Sequence, residues 1–146
     1  MSIHELIVYL RAKDASEAIS FYLKAFGATE QFRLVEPSGR IGYAELMFGN
    51  ASVYISDEFP KMNVHAPRQD EHSTFIMHIH VDDPDASIAM AVEADAEVLQ
   101  EAQDRFYGER SGTIRDPFGY KWLIGHSLEE VEPDEMQRRY NALFSE

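Results

Sequence analysis

The chain contains no cysteine among its 146 residues, so no disulfide supports the fold and no thiol can act as a nucleophile or metal ligand. It also lacks a run of roughly 18 to 20 apolar residues, which a membrane-spanning helix requires. The N-terminal residues 1–5 lack the basic start and apolar run of a signal peptide. These absences predict a cytoplasmic protein.

Basic residues are also few, because 13 Lys and Arg stand against 26 Asp and Glu and give a net charge of −13. This charge argues against nucleic acid and anionic membranes as partners, since both require a basic surface. A glycine-rich phosphate loop and a Gly-x-Ser-x-Gly nucleophile elbow are both missing from the sequence. Phosphoryl transfer and serine hydrolysis therefore have no support.

What the chain does contain is an internal repeat. An offset of 69 residues carries the segment Ile7–Ile19 onto Ile76–Ile88, and each copy reads as a strand, an Asp and the start of a helix. The same offset carries the turn Gly49-Asn50 onto Phe118-Gly119. A period this long is not that of a solenoid. It indicates one duplicated module, so equivalent positions of the two copies should line a shared pocket.

Hydrophobic periodicity gives each copy the order strand, helix and three strands. The predicted fold class is therefore α+β, with two tandem βαβββ modules whose curled mixed sheets surround a cleft, plus a C-terminal helix. With 45% hydrophobic residues, the whole chain, residues 1–146, suits a single domain. Its predicted parts are module 1 at about 4–57, a linker at 58–73, module 2 at about 74–126 and the C-terminal helix at about 133–144.

Local signals mark the ends of the helices. Asp14 and Asp83 are predicted N-caps, and Pro84 occupies the first helical position, where its missing N–H costs nothing. Gly27 is predicted to end the first helix with a positive φ, and Asp95 occupies the matching place in the second copy. In module 2, a loop is predicted at 104–110 between strands at 97–101 and 112–115.

Alternation along the strands separates an apolar face from a polar face. The apolar residues of the two first strands, which should face the helices, are Val8, Leu10, Ala12, Met77, Ile79 and Val81. The opposite face carries Tyr9, Arg11, Glu45, Tyr54, His78 and His80. An ordinary core does not hold so many polar groups, because buried charge is costly unless it is paired. The pattern predicts a partly wet cavity.

Six segments spread over nearly the whole chain carry a resemblance to a known family. They are Tyr9–Asp14, Ala18–Tyr22 with Ala25–Ala28, Gly42–Leu46, Phe106–Arg110, Asp116–Tyr120 and Glu132–Arg139. Together they resemble the vicinal oxygen chelate superfamily, which includes glyoxalase I, bleomycin-resistance proteins and extradiol dioxygenases, and more closely its PhnB-like branch. The resemblance implies a homodimer as well as the fold predicted above.

The resemblance also bears on metal binding. In metal-dependent members, His and Glu ligands come from the first and fourth strands of each module. The matching positions in this chain are Ile7, Tyr54, Ile76 and Leu123. Because these side chains do not ligate a divalent metal in the usual way, the resemblance implies the scaffold without the usual metal site, and no cofactor is expected. The alternative is a relocated divalent metal at His78 and His80, with Glu45 adding a carboxylate.

Two functions of different classes follow. The first is a small-molecule binding protein of the glyoxalase/bleomycin-resistance type, with an aromatic or polar ligand. Its predicted binding residues are Tyr9, Arg11, Tyr54, His80, Tyr107 and Arg110. The second is a glyoxalase-like lyase or isomerase with Glu45 or His78 as acid/base.

Structural alternatives stand beside these roles. Glu45 can instead form an ion pair with Arg11 or Arg110, and Arg110 can pair with an acid rather than with an anionic ligand. Residues 116–119, Asp-Pro-Phe-Gly, are interpreted as a structural hairpin turn.

Overall fold

The computed structural model describes residues 1–68 and 71–145. The chain forms two compact units, Met1–His72 with Pro117–Gly119, and Ser73–Asp116 with Tyr120–Glu146. Each unit holds one predicted module, and we call the units module 1 and module 2. Among the described residues, no helix has both the length and the apolar character needed to cross a lipid bilayer.

Module 1 is a four-stranded mixed sheet with one helix. Its elements are β1 (Val8–Ala12), α1 (Ala15–Phe26), β2 (Thr29–Val35), β3 (Ile41–Phe48) and β4 (Ala51–Asp57). The strand order is β1-β4-β3-β2, with β1 parallel to β4 and the other neighbours antiparallel. The predicted order of strand, helix and three strands is confirmed.

Module 2 repeats this topology. Its elements are β5 (Met77–His80), α2 (Pro84–Glu93), β6 (Glu97–Asp104), β7 (Glu109–Arg115) and β8 (Lys121–Ser127). The strand order is β5-β8-β7-β6, and β5 is parallel to β8. The final helix, α3, spans Pro133–Ala142. The internal repeat and the α+β fold class, with two mixed sheets and a C-terminal helix, are thus confirmed.

Helices α1 and α2 begin and end where the sequence predicts. Asp14 and Asp83 each accept a hydrogen bond from a backbone N–H in the first turn, at 3.0 and 3.1 Å, so both are N-caps. Pro84 occupies the first turn of α2. Gly27 after α1 has φ 71° and Asp95 after α2 has φ 76°, which confirms that both positions require the left-handed region.

The apolar face of each sheet holds most of its buried residues, although Val8 on β1 is exposed and Met77 and Ile79 on β5 are only partly buried. Leu10, Val53 and Ile55 are buried in module 1, as are Trp122 and Ile124 in module 2. Leu10 was predicted on the helix face, and the strand register puts the other four beside residues that were predicted on that face. The opposite face of each sheet carries polar residues, among them the exposed Tyr9 and His80.

Asp57 at the end of β4 shows how the polar groups of the core are satisfied. It is buried, and its two oxygens accept hydrogen bonds from the backbone N–H groups of Ala15 at 2.8 Å and Ile41 at 2.6 Å. The carboxylate thus connects the end of β4 to the start of α1 and the start of β3. Its role is structural, because a buried donor without an acceptor is costly.

The loop predicted at 104–110 is shorter in the structure. Arg105 and Glu109 are joined by a backbone hydrogen bond of 2.7 Å, and Gly108 has φ 84°. Because glycine adopts this conformation readily, the turn closes within a few residues. Glu109 and Arg110 consequently belong to β7, and their prediction as loop residues was wrong.

Smaller differences concern the linker and the tail. Within the linker, Pro60–Met62 forms a 3-10 turn, while positions 69 and 70 of the predicted linker and position 146 of the predicted domain lie outside the described residues. The C-terminal helix ends at Ala142 rather than near 144. The Tyr140 ring contacts Phe106, with 5.7 Å between ring centroids. The tail therefore contacts the body of its own module.

Candidate functional site

Three tyrosines meet on the polar face of module 1. Tyr9 on β1 lies opposite Tyr54 on β4, and Tyr43 lies on the neighbouring strand β3. Their ring centroids are 5.8 Å (Tyr9–Tyr54), 6.1 Å (Tyr9–Tyr43) and 5.0 Å (Tyr43–Tyr54) apart, in edge-to-face arrangements that aromatic rings favour. We call these residues the tyrosine cluster. It unites the predicted Tyr9 and Tyr54 with Tyr43, which the predicted binding set did not include.

Arg11 borders the tyrosine cluster. Its guanidinium carbon lies 4.0 Å from the centroid of the Tyr9 ring, which is a cation–π contact. Its Nη1 also donates a hydrogen bond to Ser56 Oγ at 2.5 Å. These two contacts hold the positive charge beside the aromatic surface.

Glu45 borders the cluster from β3. Its Oε2 accepts a hydrogen bond of 3.1 Å from the Tyr43 hydroxyl. Burial, followed by hydrogen bonds with Tyr54 and Glu45, raises the pKa of Tyr43 above its ordinary value. The Tyr43 phenol is therefore protonated at neutral pH and acts as a hydrogen-bond donor.

A second group lies in module 2, where two histidines meet one carboxylate. His78 Nε2 is 2.7 Å from Glu109 Oε1, and His80 Nε2 is 3.2 Å from Glu109 Oε2. The two imidazole centroids are 4.8 Å apart. One potential ligand atom from each residue lies within 4.8 Å of the other two. We call His78, His80 and Glu109 the histidine–glutamate cluster.

Gly125 allows the Glu109 side chain to contact His78 and His80. It lies on β8 between His80 on β5 and Ser111 on β7, its partners in the strand register. A Cβ atom at position 125 would overlap Glu109 Oε1 and lie 3.0 Å from Glu109 Cδ. Because glycine has no Cβ, the Glu109 side chain crosses β8 and reaches the histidines on β5.

The electrostatics of the cluster keep Glu109 ionised. Burial by itself raises the pKa of Glu109, but the hydrogen bonds with His78 and His80 outweigh burial and lower the pKa overall. The Glu109 side chain is 12% exposed, whereas those of His78 and His80 are 39% and 61% exposed. A sheltered carboxylate thus faces two accessible imidazoles.

The other two predicted residues are placed differently. The Tyr107 hydroxyl lies 2.9 Å from Ser111 Oγ. The Arg110 guanidinium donates two hydrogen bonds, of 2.7 and 2.9 Å, to the Asp85 carboxylate on α2 and a third, of 3.0 Å, to Asp104. This geometry supports the structural alternative for Arg110, an ion pair with acids, and the ligand-binding role of Arg110 stays a prediction.

A cavity of about 330 Å³ lies on the helix side of module 2. Its lining includes Ile88 and Val92 on α2 and Val98 on β6, and none of the eight predicted site residues. It therefore does not include the polar sheet faces of either module, on which the tyrosine cluster and the histidine–glutamate cluster lie.

Glu109 is the candidate that sequence reasoning missed. Residues 104–110 were predicted as a loop, and alternation assigns a face only to residues of a strand. Two signals point to it once β7 is extended. Glu109 shares a strand face with Ser111 and Thr113, and Gly125 in the middle of β8 indicates the close approach of another group.

Comparison with known families rests on almost the whole chain. A sequence model of the Glyoxalase/Bleomycin resistance protein/Dioxygenase superfamily matches residues 3–124. The chain belongs to this superfamily. This chain is 35% identical over 132 residues to an uncharacterized protein, Mb0911c, of Mycobacterium bovis. The match covers 88% of this chain and 87% of the relative.

Solved structures of the superfamily share the fold. A glyoxalase family protein from Bacillus cereus has a TM-score of 0.70 at 17% identity, covering 88% of this chain and 99% of its own. A glyoxalase/bleomycin resistance protein/dioxygenase family enzyme from Burkholderia phytofirmans has a TM-score of 0.63 at 20% identity, covering 84% and 97%. At these identities the likeness shows the fold.

The usual metal positions of the superfamily do not fit a metal in this chain. By the sequence match they are occupied by Ile7, Tyr54, Ile76 and Leu123. Three of these are hydrocarbon side chains without a donor atom. Tyr54 is hydrogen-bonded to Tyr43, and this bond adds to burial in raising the pKa of Tyr43. A metal bound by this chain would need other ligands.

Proposed function

We propose that this superfamily member is a small-molecule binding protein of the glyoxalase/bleomycin-resistance type, and that the tyrosine cluster is its binding surface. The observation that carries this proposal is the packing of Tyr9, Tyr43 and Tyr54 against one another, with the Arg11 guanidinium over the Tyr9 ring. Such a surface offers a large apolar area with polar groups at its border, which is the usual make-up of a ligand site.

The border of the cluster indicates which ligands suit it. The Arg11 guanidinium and the Glu45 carboxylate lie on the same sheet face as the rings. A planar aromatic molecule gains stacking area from the tyrosines, and polar substituents on it can bond these two groups. The net charge of −13 disfavours strongly anionic ligands. We therefore propose a neutral or cationic aromatic ligand.

A binding experiment tests this proposal. Metal-free bleomycin and a panel of neutral, cationic and anionic planar aromatic compounds are titrated into the protein in a calorimeter. Tyr54→Leu keeps the bulk at the centre of the cluster but removes the ring and hydroxyl, so the Kd of any ligand found should rise about tenfold or more. The matched control is Tyr140→Leu, which replaces an exposed tyrosine on α3. Equal effects of the two substitutions, or no binding by the panel, would contradict the proposal.

The lyase or isomerase alternative is favoured by one observation, the contact of 2.7 Å between His78 and Glu109. A histidine held by a carboxylate is a common acid/base arrangement. Glu45→Gln distinguishes the two functions when Glu45 is the reacting base, because an enzyme would lose turnover while ligand affinity is largely kept. His78→Gln does the same when His78 is the reacting group.

Three further points are proposals that rest on the resemblance and the composition. We place the chain in the PhnB-like branch on its six matching segments. We propose a homodimer, which the branch resemblance implies, and a cytoplasmic location, which follows from the cysteine-free, acidic sequence.

A further inference from the structure

We propose that His78, His80 and Glu109 bind one divalent transition-metal ion of the Zn²⁺, Co²⁺, Ni²⁺ or Fe²⁺ class, at a site distinct from the usual metal positions of the superfamily. The inference is independent of the binding role proposed for module 1, since all three ligands belong to module 2.

The distances suit such an ion. Metal–nitrogen and metal–oxygen bonds of about 2.0–2.2 Å place neighbouring ligand atoms roughly 3–3.5 Å apart. His78 Nε2 and His80 Nε2 already lie 2.7 and 3.2 Å from the two oxygens of Glu109, and the widest separation within the set is 4.8 Å. Small rotations of the exposed imidazoles therefore close the set around an ion.

The donor chemistry selects the class of metal. Two imidazoles and one carboxylate suit Zn²⁺, Co²⁺, Ni²⁺ and Fe²⁺ better than Ca²⁺ or Mg²⁺, which prefer oxygen ligands. Three protein ligands leave further coordination positions open, and the 39% and 61% exposure of the two histidines gives solvent access to them. The site thus resembles an open metal site, in which water or a ligand completes the coordination, rather than a closed structural site.

The two modules differ at the position that decides whether the cluster forms. In module 1, Arg11 on β1 pairs with Ser56 on β4, whereas in module 2, His80 on β5 pairs with Gly125 on β8. Ser56 therefore carries a Cβ at the register position where Gly125 has none. Gly125 therefore serves the cluster by leaving room for its third ligand.

A histidine–carboxylate ion pair without a metal is the competing explanation. One imidazole is enough for such a pair, yet here two imidazoles direct Nε2 atoms at the two oxygens of one carboxylate. A carboxylate can accept a hydrogen bond from each of two imidazoles, so these contacts alone fit either explanation. The observation that favours an ion is that one donor atom from each of the three residues lies within 4.8 Å of the other two. The experiment below separates the two explanations.

Metal binding to the full chain, expressed without a histidine tag and freed of metal and chelator, tests the proposal directly. Zn²⁺ is titrated calorimetrically at neutral pH, and Co²⁺ binding is followed by its visible d–d absorption, which reports the coordination geometry. We expect one ion per chain with a Kd below about 10 µM. His78→Ala and Glu109→Gln should each weaken binding by about 100-fold or more, because each removes a ligand.

Two further variants sharpen the test. Gly125→Ala keeps all three ligands but displaces the Glu109 side chain, so it should weaken Zn²⁺ binding by about tenfold or more. His65→Ala removes a histidine of module 1 that contacts Asn63 and should leave affinity unchanged. Circular dichroism confirms that each variant is folded. A Kd above about 100 µM, or equal affinities of the His78→Ala and His65→Ala variants, would overturn the proposal in favour of the ion pair.

Discussion

Asp95 holds a backbone conformation that glycine adopts at lower cost. Its φ of 76° lies in the left-handed region, where a side chain is strained. It also follows α2, whose last turn has no basic residue, so its carboxylate lies near the negative end of the helix dipole. Both effects destabilise the native state at this residue.

We predict that Asp95→Gly raises the free energy of unfolding by about 0.5–1 kcal/mol, since it removes the strain and the unfavourable charge together. Urea unfolding followed by circular dichroism measures the change. The matched control is the reverse exchange, Gly27→Asp, at φ 71° in open space after α1, which should lower stability by about 1 kcal/mol. A less stable Asp95→Gly variant would contradict this account.

Single residues also show where sequence reasoning succeeded. Alternation placed Tyr9 and Tyr54 on one face of module 1, and they meet there. It also placed His78 and His80 on one strand face, where they share a partner. The partner itself, Glu109, was not found, because its contact depends on a missing Cβ at Gly125 on the neighbouring strand β8. Alternation along a strand does not show how close a side chain comes to the backbone of another strand.

Among the structural elements, α2 and β7 are joined by an ion pair. Arg110 on β7 binds both oxygens of Asp85 in the first turn of α2. The hydrogen bonds from Arg110 lower the pKa of Asp85 below its ordinary value. Since the folded pKa is the lower one, the pair stabilises the native state at pH values above the ordinary Asp pKa, and this contribution is lost as the pH falls through the folded pKa.

The pH dependence of Asp85→Asn therefore has a predicted sign. The variant should unfold at lower urea concentration than the wild type above about pH 5, and the difference should shrink as the pH falls below about 4. Urea midpoints measured across this range give the result. In an Arg110→Gln background the pH-dependent effect of the same substitution should be much smaller, with only the contribution of the helix N-terminus left. An undiminished effect there would contradict the assignment to Arg110.

Element boundaries were predictable where the cause is local. The caps at Asp14 and Asp83 and the reversal at Gly27 each depend on neighbouring residues, and all three were predicted. The start of β7 was not, because the polar residues of β6 and β7 gave no apolar alternation and the turn at Gly108 closes through a backbone hydrogen bond. Polar strands of this kind are identified only by their pairing.

At the scale of the whole molecule, the predicted homodimer is testable. Size-exclusion chromatography with light scattering should give twice the chain mass of 16.7 kDa at micromolar concentration. Phe32, Leu34 and Val35 on β2, the edge strand of the module 1 sheet, are exposed in the single chain, and self-association would be one way to cover them. A mass equal to one chain at that concentration would remove the prediction.

The two modules also show how one topology supports different chemistry. Both sheets have the same strand order, yet the matched positions hold Tyr9 and Arg11 in module 1 and His78 and His80 in module 2. The first pair forms an aromatic and cationic surface, and the second pair meets a carboxylate. The repeated backbone fixes where these side chains lie, and the residue types decide what they bind.

The glycine on β8 has a consequence for evolution. If Glu109 reaches the histidines only because position 125 has no side chain, then selection acts on the two positions together. Descendant lineages that acquire a larger residue in place of Gly125 should lose the glutamate in place of Glu109 soon afterwards, whereas lineages that keep the glycine should keep the acid. Positions 109 and 125 would then change together in evolution, although they are far apart in the sequence.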